Sequence, residues 1–177
     1  FSCATCHDPA RAFTDGRSLA EGRETLTRHV PALLDVGRRR WLFWDGRTDS
    51  LWAQPRHPLE NPIEMDGDRL ALAHLITSDP ALRAKYEELF GPPPEFTDRA
   101  RFPAHARPGP AKGDDPRQRA WEGMTPEDRA SIDTLLANVG KALAAFQRRL
   151  ATKDSAFDEF ARAYLGGDRS GGGRLTG

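Results

Sequence analysis

The stretch SCATCHDPARAFTDGR, residues 2–17, holds both cysteines of a 177-residue chain and a histidine directly after the second. Cys3-Ala4-Thr5-Cys6-His7 has the C-x-x-C-H spacing by which c-type haem is attached. Two thiols three positions apart can each form a thioether with a vinyl group on one edge of the porphyrin. The adjacent His7 can then reach the iron as proximal ligand. Three other readings lack their partners. A thioredoxin-like pair follows a strand and opens a helix, but no strand precedes this motif, and Asp8-Pro9 follows it. A zinc half-site needs two more ligands; no other cysteine exists, and His29, His57, His74 and His105 are scattered singly. A disulfide across two intervening residues would constrain almost nothing. Covalent haem attachment takes place outside the cytoplasm, so the expected location is periplasmic in a Gram-negative cell.

Composition narrows the partners. Lys plus Arg equal Asp plus Glu at 26 each, and zero formal charge argues against nucleic acid or an anionic membrane as the main partner. No apolar run approaches the roughly 18 residues that span a bilayer, so no membrane span is expected. Hydrophobic content of 38% with 16 Gly and 14 Pro predicts many loops and a modest core. Four Trp in such a chain hint at a buried flat cofactor. The length suits one domain, or one domain plus a tail. Phe1 stands two residues before Cys3, and GGDRSGGGRLTG, residues 166–177, reads as a flexible linker. Both ends read as cuts in a longer protein. The expected organisation is a c-type haem domain over residues 1–165, then a linker over 166–177 leading toward a further domain.

The expected class is mostly α, a cytochrome c-like haem domain with long irregular loops. Residues 8–66 lack helical periodicity and carry turns at Asp15-Gly16 and Asp45-Gly46. A long irregular stretch of this kind is usually functional or wrapped around something. A helix is expected from a cap at Asp66 or Asp68 to about residue 77, with Leu70, Leu72, Leu75 and Ile76 inward. Asp79-Pro80 pairs an N-cap with proline at the first helical position, and that helix stops at Gly91. Residues 91–120 read as a Pro-, Gly- and charge-rich surface excursion, ordered in parts. Thr125 with Asp128 forms a capping box, with Pro126 in the first turn. Ile132, Leu135, Leu136, Val139, Leu143, Phe146 and Leu150 form the apolar stripe that follows. A last helix carries Phe157, Phe160 and Tyr164 on one side, with Gly166 at its C-cap. No strand and no internal repeat is expected.

The second dense region is WLFWDGRTDSLWAQPRHPLENPIEM, residues 41–65. By residue type alone Trp41, Phe43, Trp44 and Trp52 are plain core, Glu60 and Glu64 solvated carboxylates, and Asp45 and Arg47 a turn-stabilising pair. In combination with C-x-x-C-H the reading changes. SCATCHDPARAFTDGR, TRHVPALLDV, FWDGRTDSLWAQ, PLENPIEM and ALAAFQRRLATKDSAFDEF occur in this order. Together they resemble the N-terminal, peroxide-reacting domain of the bacterial di-haem cytochrome c peroxidase superfamily, which includes the MauG-like enzymes. In that family a second haem domain follows a linker.

The resemblance implies a role for each matching residue. Cys3 and Cys6 hold haem c, and His7 is its proximal ligand. Trp44 of FWDGR resembles the tryptophan between the two haems, a relay for electrons or holes. Glu64 of PIEM resembles the acid above the peroxide-binding face of the iron, and Gln54 and Pro58 match residues lining that pocket. A carboxylate within hydrogen-bond reach of bound peroxide can take a proton from one oxygen and return it to the other. An apolar pocket beside haem raises a glutamate's pKa, which suits that shuttle. The implied partners are hydrogen peroxide and an electron-donor protein, a small cytochrome or cupredoxin; in a MauG-like variant, a protein substrate is oxidised instead.

The pattern is broken in one segment. Many members carry a distal histidine ahead of the motif that here reads Arg28-His29-Val30-Pro31, and EGRETLTRHVP has none upstream of Arg28. That resembles the MauG-like branch, whose peroxide-reacting haem needs no activation. His29 stands where the family has an asparagine that helps bind calcium. Ca2+ prefers oxygen donors, so calcium is the weakest of the implied cofactors. His29 is then a loop histidine, or one that swings toward the iron. His57 is expected at the surface near the pocket motif; His74 and His105 have no assigned role. A different function competes with the enzyme: an electron-carrier c-type cytochrome with a six-coordinate haem, for which Met65 or Met124 would supply the sixth ligand.

Overall fold

A computed structural model describes residues 2–109, 114–152 and 155–169. Residues 110–113 of the expected excursion and 170–177 of the expected linker lie outside them. The described residues form helices and loops, with no strand among them. Residues 2–67 are built almost wholly from turns, and residues 68–148 from packed helices.

Helix starts follow local chemistry. α1, Cys3–Cys6, is a single turn, and α2, Arg56–Glu60, is little longer. α3, Arg69–Ser78, begins after Asp68, whose carboxylate accepts from Ala71 N–H at 2.7 Å. α4, Pro80–Phe90, begins after Asp79, which accepts from Ala81 and Leu82 N–H. In both cases a carboxylate satisfies amides that have no partner inside the helix. α5, Pro116–Glu122, and α6, Pro126–Arg148, also start on proline. Thr125 accepts from Asp128 N–H, but the expected capping box is only half made. The Asp128 carboxylate turns instead to the Arg101 guanidinium at 2.5 Å. α7, Ala156–Leu165, is capped by Ser155 and ends at Gly166.

The core lies between α3, α4 and α6. Leu70 and Ala73, Tyr86, and Ile132 and Leu135 meet there. Residues 91–120 correct the expectation of a surface excursion, because Phe96, Phe102 and Ala106 are buried in this core. Phe96 and Phe102 pack edge to face with centroids 4.9 Å apart, a favoured aromatic geometry. Leu75 and Phe146 point outward, against expectation. Each lies two residues, and so about 200°, past a buried alanine, Ala73 or Ala144. Ala73 belongs to the core between the helices, and Ala144 is fully buried on α6, whereas the bulky side chains are not.

The loop half is tied to this scaffold at close range. A Cβ at Gly140 would overlap the carbonyl oxygen of Trp52, so only glycine lets α6 approach that backbone. Asp35 N–H donates to Leu150 O at 2.8 Å beside the end of α6. Within the half, bridges at Asp8–Thr14, Glu21–Thr25 and Leu42–Thr48 each close a turn.

Candidate functional site

The single turn of α1 sets Cys3 and Cys6 on one side, three residues apart. Both thiols are free. His7 follows directly, and its Nδ1 lies 2.8 Å from Phe13 O. A carbonyl oxygen only accepts, so Nδ1 carries the proton and Nε2 keeps its lone pair for a ligand. A tight turn presents that carbonyl: Ala12 and Phe13 adopt left-handed backbone at φ 56° and 59°, and Phe13 N–H donates to Asp8 O at 2.8 Å. The residues present fit a covalent haem c. They supply two free thiols on one helical turn and an imidazole oriented through its far nitrogen.

The aromatic residues expected as core are not core. Trp41, Trp44 and Trp52 are 57%, 51% and 45% exposed. Trp44 donates through Nε1 to His29 O at 3.0 Å, and its ring lies 4.4 Å from that of His29. His29 is thus engaged in its loop. The Asp45–Arg47 turn pair is present, with Arg47 Nη1 donating to Asp45 Oδ1 at 2.9 Å.

Glu64 is brought beside the cysteine motif by an intervening segment. The Cys6 thiol donates to Glu21 O at 3.6 Å. Two residues on, Arg23 N–H donates to Glu64 O at 3.0 Å and Glu24 N–H to Ile63 O at 3.1 Å. Residues 21–24 therefore touch both stretches. Burial, reinforced by the negative charges of Asp15 and then Glu64, pushes the Cys6 thiol above its ordinary value. Asn61 Nδ2 donates to Glu64 Oε1 at 2.8 Å, and Asn61 Oδ1 accepts from Ile63 N–H at 3.3 Å.

Gln54 lies in the turn just before α2 and Pro58 within it, both half-buried. Pro58 O accepts from Met65 N–H at 3.3 Å, so the α2 turn folds back on the residue after Glu64. The FWDGR turn joins α2 through its neighbours rather than through Trp44. Phe43 meets His57 edge to face at 5.4 Å, and Thr48 Oγ1 lies 3.3 Å from His57 Nε2. His57 is half-buried, which corrects its expected surface position, because the Phe43 ring covers it. Burial, with the positive charges of Arg56 and Arg47, pushes its imidazole below the ordinary value. A shallow cleft between these elements is lined by Arg47, Arg56, His57, Glu60 and Asn61.

Several residues here have partners that the sequence does not announce. Glu60 is no solvated acid: Arg69 grips both its oxygens at 2.8 and 2.7 Å and also donates to Asp133 at 2.5 Å. Asn61 could have been found from the Asn-Pro dipeptide, a turn signal. The bonds from Arg69 to Asp133, from Arg107 to Glu60 and Gly67, and from Arg117 to Asp66 each span 40 or more residues and leave no local signature. Met124 is buried in the helical core beside Trp121, which removes it as a sixth ligand. His74 Nε2 lies 2.9 Å from Pro103 O, and His105 Nδ1 2.8 Å from Asp68 Oδ2. Both histidines brace the 91–107 segment.

This is a c-type haem architecture: a mostly helical scaffold carrying an irregular, tryptophan-rich half that opens on C-x-x-C-H. The family model for di-haem cytochrome c peroxidase matches residues 1–165, and the chain belongs to that family of oxidoreductases. Covalent haem c is the cofactor its members bind. The chain is 42% identical over 112 residues to the methylamine utilization protein MauG of Paracoccus denitrificans, covering 51% of this chain and 29% of that protein. It is 28% identical over 171 residues to the cytochrome c551 peroxidase of Pseudomonas aeruginosa, covering 94% of this chain and 37% of that protein. The solved structure of the diheme peroxidase BthA from Burkholderia thailandensis superposes with a TM-score of 0.59 at 26% identity, over 93% of this chain and 37% of the other. The chain thus spans well under half the length of these relatives. Among the described residues, no helix is long and apolar enough to cross a membrane.

Proposed function

We propose that residues 1–165 are the peroxide-reacting haem domain of a periplasmic di-haem oxidoreductase, with Glu64 as its proton-transfer group. The observation carrying this reading is the bridge of residues 21–24, which hydrogen-bonds the Cys6 thiol at one end and the backbone of Ile63 and Glu64 at the other. Cys3 and Cys6 would hold the haem, and His7 Nε2 would ligate its iron. The bound haem supplies the redox chemistry of peroxide reduction. The chain supplies the proton chemistry. Glu64 takes a proton from one peroxide oxygen and returns it to the other as general base and acid. Asn61, donating to Glu64 Oε1 at 2.8 Å, leaves Oε2 as the oxygen that moves the proton. Gln54 and Pro58 line the approach and limit water.

Trp44 is the proposed relay for electrons arriving from a second haem or a partner protein. Its exposed ring, held through Nε1 by His29 O, suits transfer across a domain boundary. A small cytochrome or cupredoxin would donate the electrons, or a protein substrate would in a MauG-like outcome. Substituting Trp44→Phe should leave the reaction with peroxide intact and slow re-reduction by the donor.

The competing electron carrier requires a filled sixth position at the iron. Met65 and His29 remain as its ligands, because Met124 is spent in the core. The optical and electron paramagnetic resonance spectra of the resting ferric full-length protein separate the two. A high-spin component supports the open site. A purely low-spin haem complement at neutral pH, in both redox states, supports the carrier or an iron blocked by His29.

A further inference from the structure

Glu64 sits on a loop, residues 60–67, that two arginines from the far side of the sequence hold by its backbone. Arg107 donates through Nη1 to Glu60 O and to Gly67 O, the latter at 3.1 Å. Arg117 donates to Asp66 O at 3.0 Å and to Asp66 Oδ1 at 2.9 Å. Asp115 lies between the two guanidinium groups, accepting from Arg107 at 3.1 Å and from Arg117 at 2.9 Å. Arg107 N–H also donates to Arg117 O at 3.2 Å, which locks the two stretches together. On the other side of the loop, Arg23 lies 3.2 Å from Asp66 Oδ2.

This arrangement goes beyond ordinary loop packing. Arg107 is 7% exposed, and a buried guanidinium is retained only where its donors are satisfied. Here its carbonyl partners are the two ends of the Glu64 loop. Asp66 adopts left-handed backbone at φ 49°, a conformation costing about 1 kcal/mol or more that persists where its surroundings over-determine it. Three arginines meet its carboxylate and one its carbonyl. Inside the loop the cross-links are local: Asp66 N–H donates to Asn61 O at 2.9 Å, and the Asn61 side chain joins Ile63 N–H and Glu64 Oε1.

We infer that Arg107 and Arg117 form a clamp, linked by Asp115, that positions Glu64 by fixing the ends and the Asp66 corner of its loop. They are positioning residues that do not meet substrate. The inference rests on the proposed role of Glu64. A displacement of about 1 Å at a catalytic group costs up to about a hundredfold in rate, so the clamp has leverage over the reaction.

The test uses the haem-loaded full-length protein with Arg117→Gln, and Arg117→Lys as a second, charge-conserving variant that loses the two-pronged grip. Amide hydrogen exchange of a peptide covering residues 61–67 should accelerate at least tenfold in both variants, with α3, α4 and α6 unchanged. The reaction with hydrogen peroxide should slow ten- to a hundredfold, and this slowing should vanish when Arg117→Gln is placed in a Glu64→Gln background. Unchanged protection of the loop overturns the clamp. Equal slowing in both backgrounds overturns positioning through Glu64 and leaves only a structural brace. If Glu64→Gln alone leaves the rate unchanged, the proposed catalysis fails, and the exchange result still decides whether the clamp exists.

Discussion

The two halves of the chain reach order by different means. The helical half, residues 68–148, buries its own apolar surface: Leu70, Ile132 and Leu135 are fully enclosed. The loop half, residues 2–67, leaves three tryptophans about half exposed and encloses none of its large side chains fully. It holds itself with turns, capped carbonyls and close backbone approach to α6. The chemistry-bearing residues Cys3, Cys6, His7, Trp44 and Glu64 all lie in this second half. The difference separates scaffold from site. The helical half is stable by packing and extends arginines into the loop half, while the loop half is free to present polar and aromatic groups.

Four substitutions or conditions can break or sharpen that division. The largest effect is expected from Cys6→Ser, which should abolish the second covalent link; the α band of the pyridine haemochrome, which moves to longer wavelength when a vinyl group is left unsaturated, reads it directly. Next, Ile132→Ala should cost about 2–5 kcal/mol in denaturant unfolding, since it empties a fully buried site. A cost below about 1 kcal/mol there would mean that the helical half is not the scaffold.

A smaller effect belongs to His57. Its folded-state pKa lies below the ordinary 6.5, chiefly through burial. The stability it contributes is therefore present above pH 6.5 and is lost as pH falls through the folded value. The unfolding midpoint should drop between pH 7.5 and 5.5, and His57→Gln should flatten that dependence. The smallest effect is expected at Leu75→Ser. This side chain is exposed despite its place in an apolar helix, so the change should stay within about 0.5 kcal/mol.

Legibility in the sequence followed the range of the interactions. Asp79-Pro80 and Thr125-Pro126 announce helix starts because a cap is a contact over two or three residues. C-x-x-C-H is legible for the same reason. The 91–120 stretch hides its packing because its prolines erase periodicity. Its burial is decided by partners far away: Phe96 and Phe102 by α3 and α4, Arg107 and Arg117 by residues 60–67. Glu60 looked solvated because its partner, Arg69, stands nine residues on with a helix start between. The apolar stripe of α6 holds at Ile132 and Leu135 and fails at Phe146, since the buried residue of that turn is Ala144. Local chemistry can be read along the chain. The clamp around Glu64 needs the fold.

The central claim is that Glu64 moves the proton during peroxide reduction beside the haem carried by Cys3, Cys6 and His7. Stopped-flow spectroscopy of haem-loaded, full-length Glu64→Gln protein mixed with hydrogen peroxide tests it most directly. Haem content should match the unsubstituted protein, and the rate should fall by about 10²–10⁴-fold. A rate within twofold of the original, at equal haem content, would contradict the account.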